Sequence, residues 1–167
     1  MDTLIPSDIC QYIIMEYIDG DDQITIQSLF YNRKLKVTNL YNISKKLTLS
    51  LDDDIYKKYQ FVKKLDASEN PNITDKGIAK LTNLHTLDAY DNPNITDKGI
   101  VKLTNLHTLN ASENENITDK GIKNLTNLRN LNASWNRNIT DKGIKNLTNL
   151  HTLDAVSYTH LTLPTKA

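Results

Sequence analysis

The chain of 167 residues has one cysteine, Cys10, so it has neither a disulfide framework nor a thiolate metal site. It has no excess of charge: seven Lys/Arg face nine Asp/Glu over 1–60, and twelve face eleven over 61–155. By that count neither half carries the basic stripe that nucleic acid demands. No apolar run approaches the ~20 residues of a membrane helix. The opening MDTLIPSDIC lacks the basic region and apolar core of a secretion signal, so the cytoplasm or nucleus is the expected compartment. No HExxH, phosphate loop or nucleophile elbow occurs. Glycine (5) and proline (4) are scarce beside abundant Asn, Ile, Lys and Tyr, a bias of base composition that says nothing about mechanism.

What is present is a period. NITDKGI occurs at 72–78, 94–100, 116–122 and 138–144, each copy 22 residues after the last. Whole units repeat: 81–102 reads LTNLHTLDAYDNPNITDKGIVK and 103–124 reads LTNLHTLNASENENITDKGIKN. A fixed period of this length with leucines at L-x-x-L-x-x-L marks a solenoid, in which each unit buries its apolar side on its neighbours.

Leu81, Leu84, Leu87, Ala89, Asn92 and Ile95 form LxxLxxLxAxxNxxI, which resembles a leucine-rich repeat. The Thr-Asp-Lys-Gly-Ile that follows is similar to the ITDxGL signature of the subtype common in F-box proteins, although that subtype is usually longer and has Cys where this chain has Asn. The match covers about 59–155. It implies an α/β fold: parallel strands on a concave face, short helices on a convex face. It also implies that the Asn70, Asn92, Asn114, Asn136 column is buried and bonds the backbone of neighbouring turns, since an amide both donates and accepts.

Leu87 and Ala89, two apart, belong to one face of a short strand. Thr96 is an N-cap and Asp97 sits in the first helical turn. Ile100, Leu103 and at times position 101 supply the helix's inward side, and Asn105 suits a left-handed helix exit. Gly99 costs a helix up to ~1 kcal/mol relative to Ala, so its recurrence points to close packing against an adjacent unit. NITDKGI therefore reads as turn, cap and helix start.

Residues 1–45 do not repeat. Pro6 and Ser7 mark a helix start, with Ile9, Ile13 and Tyr17 on one face. GDD at 20–22 breaks the chain. A second helix is expected from about Gln23 to Lys34 and a third over 37–43. Ile5-Pro6, Asp8, Ile9, Ile13, Ile18, Asp19, Asp22, Ile26 and Leu29 together resemble an F-box, with Gln23 where the family usually has Leu and no closing Trp. The resemblance implies that Ile5, Pro6, Ile9, Ile13 and Ile18 dock a Skp-type adaptor of a cullin-type (SCF) ubiquitin ligase. The other reading is a plain helical cap over the first repeat, as solenoids require. KKLTLS at 45–50 echoes KKLDAS at 63–68, which predicts a shortened first repeat over 46–58 with the aspartates at 52–54 as its helix cap. Residues 156–167 leave the repeat pattern and resemble a translated sequencing-library adapter.

Four features invite a reading as chemistry. His85, His107 and His151 share one repeat position with Lys63 and Arg129, with no carboxylate or thiol fixed beside them, which reads as a solvated edge rather than a metal site. The N-x-T matches at Asn72, Asn94, Asn116 and Asn138 are by-products of the repeat. The Asp75, Asp97, Asp119, Asp141 column beside Lys76, Lys98, Lys120, Lys142 reads as a solvated convex surface with mutual compensation, because an enzyme needs one local constellation. No cofactor is expected. Where the units differ, specificity can reside: at the concave positions Lys64, Asp66, Ser68, Thr86, Asp88, Tyr90, Thr108, Asn110, Ser112, Asn130, Asn132 and Ser134, and next to them at Glu69, Asp91, Glu113 and Trp135. Trp135 is the leading hot-spot candidate and Tyr90 the second. The competing reading stacks Trp135 on Arg137. The functional expectation is a protein-binding adaptor, with a protein target on the concave face, no nucleic acid and no membrane.

Overall fold

In the computed structural model, residues 39–40, 51–58, 61–156 and 162–164 are described. The F-box-like residues Ile5 to Ile18, and the two helices expected before Lys34, lie outside them.

Six strands form one parallel sheet in chain order: β1 (Asn39–Leu40), β2 (Lys64–Asp66), β3 (Thr86–Asp88), β4 (Thr108–Asn110), β5 (Asn130–Asn132) and β6 (Thr152–Asp154). From β2 onward the register repeats the sequence period, with Leu65 opposite Leu87, Leu87 opposite Leu109, Leu109 opposite Leu131 and Leu131 opposite Leu153. Single-turn helices stand between the strands: α1 (Ile55–Lys58), α2 (Asp75–Ile78), α3 (Asp97–Ile100), α4 (Asp119–Ile122) and α5 (Asp141–Ile144). Each of α2 to α5 begins at a threonine whose Oγ1 accepts from the N–H two residues on, as Thr96 does from Lys98 at 3.2 Å. These four end at Ile, so Leu103 lies beyond α3 and is buried from the following turn.

The core is a set of columns. Leu65, Leu87, Leu109 and Leu131 are buried at one level, and Ala67, Ala89, Ala111 and Ala133 at the next. The isoleucines before and within each helix and the two leucines after it complete the filling. A unit of 22 residues cannot enclose its own apolar side chains, so each is covered by the units on either side.

Polar columns run through this core. Asn92 is fully buried, and its Nδ2 donates to the carbonyls of Ala67 (2.8 Å), Asn70 (2.7 Å) and Ile73 (3.3 Å), all in the preceding unit. Its Oδ1 accepts from the N–H of Asn94 and Ile95 in its own turn. Asn114 and Asn136 make the same three donations one and two units on. A tight turn leaves carbonyls without ladder partners, and a buried unpaired carbonyl costs about 1–3 kcal/mol. One amide removes that cost for the turn before it.

A second column corrects the sequence reading of the aspartates. Asp75 does not compensate Lys76 on a solvated surface. Its carboxylate accepts from Thr96 N–H (2.7 Å) and Thr96 Oγ (2.6 Å) of the next unit. Asp97 does this for Thr118, and Asp119 for Thr140. Each carboxylate therefore bonds the capping threonine of the following helix. Gly99 is the space this contact needs: a Cβ there would stand 2.5 Å from Asp75 Oδ1 and 3.1 Å from Asp75 Cα.

The first unit departs from expectation. Asn39 and Leu40 form a strand where a third helix was expected. Leu40 pairs with Leu65, a longer step than the 22 residues seen elsewhere, so the unit is extended rather than shortened. Its far half keeps the period: Leu51 supplies the carbonyl that Asn70 bonds, and Asp53 bonds Thr74 N–H, Thr74 Oγ and Gly77 N–H. Of the three aspartates at 52–54, Asp53 is the one that caps across units; the Asp52 carbonyl accepts from Ile55 N–H at the start of α1.

Asn114→Ala removes the amide whose two N–H groups serve three buried carbonyls and is expected to cost about 3–4 kcal/mol, read as a fall in the urea midpoint with an unchanged slope. Gly99→Ala, which helix propensity alone would make stabilising, is expected to lower the melting temperature because the added Cβ collides with Asp75.

Candidate functional site

The strand side of the sheet carries the residues that vary. Lys64 and Asn130 are exposed, Thr86 and Thr108 half-buried. Asp66, Asp88, Asn110 and Asn132, also half-buried, are occupied in building their own turns. Asp66 Oδ1 accepts from both N–H and Oγ of Ser68, and Asn110 Oδ1 from both groups of Ser112. Asp88 Oδ1 accepts from Tyr90 N–H and from Asn110 Nδ2, each at 3.0 Å. Asn132 Oδ1 accepts from Ser134 N–H. Ser112 and Ser134, expected at the concave surface, are buried at 6% and 7% exposure. Their hydroxyls turn to Asn110 and Asp154, which leaves little for a partner to touch.

The residues that stand out are therefore fewer than the sequence suggests. Trp135 is 56% exposed. Arg137, two residues on, pairs its Nε with Glu115 Oε1 at 3.3 Å. Tyr90 donates its hydroxyl to Glu113 Oε1 at 3.3 Å. The Glu113 carboxylate, with burial adding, pushes the Tyr90 hydroxyl above its usual titration range.

A backbone feature was not legible in the sequence. Glu69, Asp91, Glu113 and Trp135 all have positive φ, between 44° and 59°. The left-handed position is here, just after each strand, and not at Asn105. Asn105 instead donates its amide to Thr82 O at 2.9 Å. Side chains with a Cβ cost about 1–2 kcal/mol in this conformation, and a bulky one is the least suited. Trp135 thus combines exposure with backbone strain, a pairing that clusters at binding sites.

Before each strand lies the column Lys63, His85, His107, Arg129, His151. The rings of His85 and His107 stack with centroids 5.0 Å apart. His85 Nδ1 and His151 Nδ1 lie on the carbonyls of Asn83 and Asn149. Burial, then the His85 and Arg129 charges, hold His107 below the usual histidine value of 6.5. No three histidine, cysteine or carboxylate groups gather as metal ligands among the described residues, and none of their helices is long and apolar enough to cross a membrane.

Two outcomes follow. Trp135→Asn, which suits positive φ, is expected to raise the melting temperature by a few degrees while weakening target binding about tenfold or more. For His107, the unfolded ring takes up its proton first as pH falls through 6.5, so the array loses stability from there downward. Urea midpoints at pH 7.5 and 5.5 should differ less in His107→Gln than in the unaltered chain.

Residues 102–125 and 124–148 match the family model described as a leucine-rich repeat. Among solved structures, the chain is similar to internalin C2 of Listeria monocytogenes, at 31% identity over 61% of this chain and 48% of that one, with a TM-score of 0.48. The Rad7–Elc1 complex in yeast aligns at 21% identity over 65% and 34%, with a TM-score of 0.50. A TLR13–ssRNA13 complex aligns at 22% over 79% and 23%, with a TM-score of 0.54. The chain spans less than half the length of each of these three. No curated protein matches it. The period and the parallel sheet run through residues 61–156, and the leucine-rich repeat match covers 102–148 within them.

Proposed function

We propose that the chain is a protein-interaction adaptor that performs no chemistry itself. Its repeats hold a protein target on the strand side, through Tyr90, Trp135 and the exposed parts of the Lys64, Thr86, Thr108 and Asn130 row. The observation that carries this is the contrast between columns. From Leu65 on, the core leucines, alanines and isoleucines and the capping threonines are identical from unit to unit, while the outward strand positions differ and include an exposed Trp held at positive φ. A repeated framework with a varied face is what a binding scaffold needs, and no single unit holds a constellation that an enzyme would need.

Residues 1–45, by their resemblance to an F-box, would attach this scaffold to a Skp-type adaptor and so to a cullin-type ubiquitin ligase in the cytoplasm or nucleus. The Ile5, Pro6, Ile9, Ile13 and Ile18 side chains would form the docking surface. Rad7, in the yeast structure noted above, is found in complex with Elc1, which is compatible with an adaptor role but concerns that protein. A second reading has its own observation. β1 lies inside the 1–45 segment and pairs with β2, so the end of that segment joins the sheet of the array. A free-standing scaffold sealed by an N-terminal cap, without a ubiquitin link, would look the same there.

Co-expression of the full chain with a Skp-type adaptor separates the two. The adaptor reading expects a one-to-one complex on gel filtration that Pro6→Ala/Ile9→Asp abolishes. A folded chain that forms no complex would leave the capped scaffold.

A further inference from the structure

Stacking the units brings together charges that are scattered in the linear chain. Lys63, His85, His107, Arg129 and His151 follow one another along the leading edge of the strands. Their backbones are linked in order: His107 N–H to His85 O, Arg129 N–H to His107 O and His151 N–H to Arg129 O, each 2.8 Å. All five are basic types, although the position changes identity between units. The trailing edge, just past each strand, carries Glu69, Asp91 and Glu113 and then Trp135. The strand face is therefore polarised, basic before the strands and acidic after them.

The spacing selects the partner. The column advances by one strand separation per group, and the stacked rings of His85 and His107 measure it at 5.0 Å. Side chains three or four apart on an α-helix recur about every 5–6 Å, whereas alternate side chains of an extended chain recur at about 6.6 Å. We propose that this basic column docks a helix of the target protein that presents one carboxylate per turn over about four turns, at i, i+3/i+4, i+7 and onward, lying along the array from Lys63 to His151. The trailing acidic edge would set its orientation by repelling that row. This rests on the scaffold reading above and names the chemistry of its partner.

Lys63 and Arg129 are the lysine and arginine of this column. The groups facing the rings are the neighbours in the column itself, together with the Asn83 carbonyl at His85 and the Asn149 carbonyl at His151. An acidic helix should therefore bind less tightly as salt rises.

The test uses the full chain and a fluorescein-labelled 18-residue Ala/Gln peptide with Glu at every fourth position down one face. A peptide of the same composition with Glu spread around the helix and a 20-nucleotide oligo-dT serve as comparisons. Anisotropy is read at 50 and 300 mM salt, with circular dichroism to confirm the fold at both. The expected result is binding about tenfold tighter at the lower salt. It should be lost with the spread peptide and weakened several-fold in Lys63→Gln/Arg129→Gln. No binding by the folded chain, equal binding of the spread peptide, unchanged affinity in the double variant, or tighter binding of oligo-dT would each overturn it. A target that depends on Tyr90 and Trp135 but ignores the double variant would leave the scaffold standing and remove this inference alone.

Discussion

A buried asparagine in each unit, bonded from Asn92 on to three carbonyls of the unit before, is the constraint on which the rest depends. A short repeat must turn the chain sharply after every strand, and a sharp turn inside a core strands polar backbone away from water. Asn92, Asn114 and Asn136 satisfy that backbone across the boundary between units rather than within one. Because the donor is always in the next unit, no unit is complete alone. The aspartate column repeats the logic on the helix side, where Asp75 bonds the cap threonine of the helix that follows it. Apolar burial is non-directional and holds the units together. The amides and carboxylates, which are directional, fix the register at one strand per unit.

This frame decides where function can sit. From Leu65 on, the core positions and the polar columns do not change, while variation falls on the strand side, on the edges that flank it and on helix ends such as Ala79, Val101, Lys123 and Lys145. Even there most polar groups turn inward, as Ser112 and Ser134 do. What remains for a partner is an exposed Trp, a Tyr tied to Glu113, a few threonine, lysine and asparagine side chains, and the basic edge. Such a surface is small in any one unit. It becomes extended because the units place equivalent groups in line.

The period, the identity of the core columns and the N-cap threonine were legible in the sequence, because each depends on a residue type whose chemistry suits one role. Two things were not. The Asp–Thr contact across units joins residues some 21 apart, and Lys76 beside Asp75 offered a nearer partner on paper. The left-handed turn falls on Glu69, Asp91, Glu113 and Trp135, of which aspartate alone favours it, whereas Asn105 has that preference and does not adopt it. Tertiary context overrides local propensity there: Glu113 N–H bonds Ser134 O of the next unit, which fixes the turn. The first unit misled for a different reason. KKLTLS resembles a strand segment of the array, yet it is Asn39–Leu40 that pairs with β2, so similarity of text did not give the register. Of the candidate site, Trp135 and Tyr90 could be picked out by type, but which of their polar neighbours are already engaged required the folded turns.

The central claim is that the array meets its partner on the strand side and not on the helix side. A photo-crosslinking amino acid placed singly at positions 90 and 135, and singly at 98 and 120 on α3 and α4, tests it directly. The account predicts that the same partner is crosslinked from 90 and 135 and not from 98 or 120. Crosslinks from 98 and 120, with none from 90 and 135, would contradict it and move the binding surface to the repeated helix side.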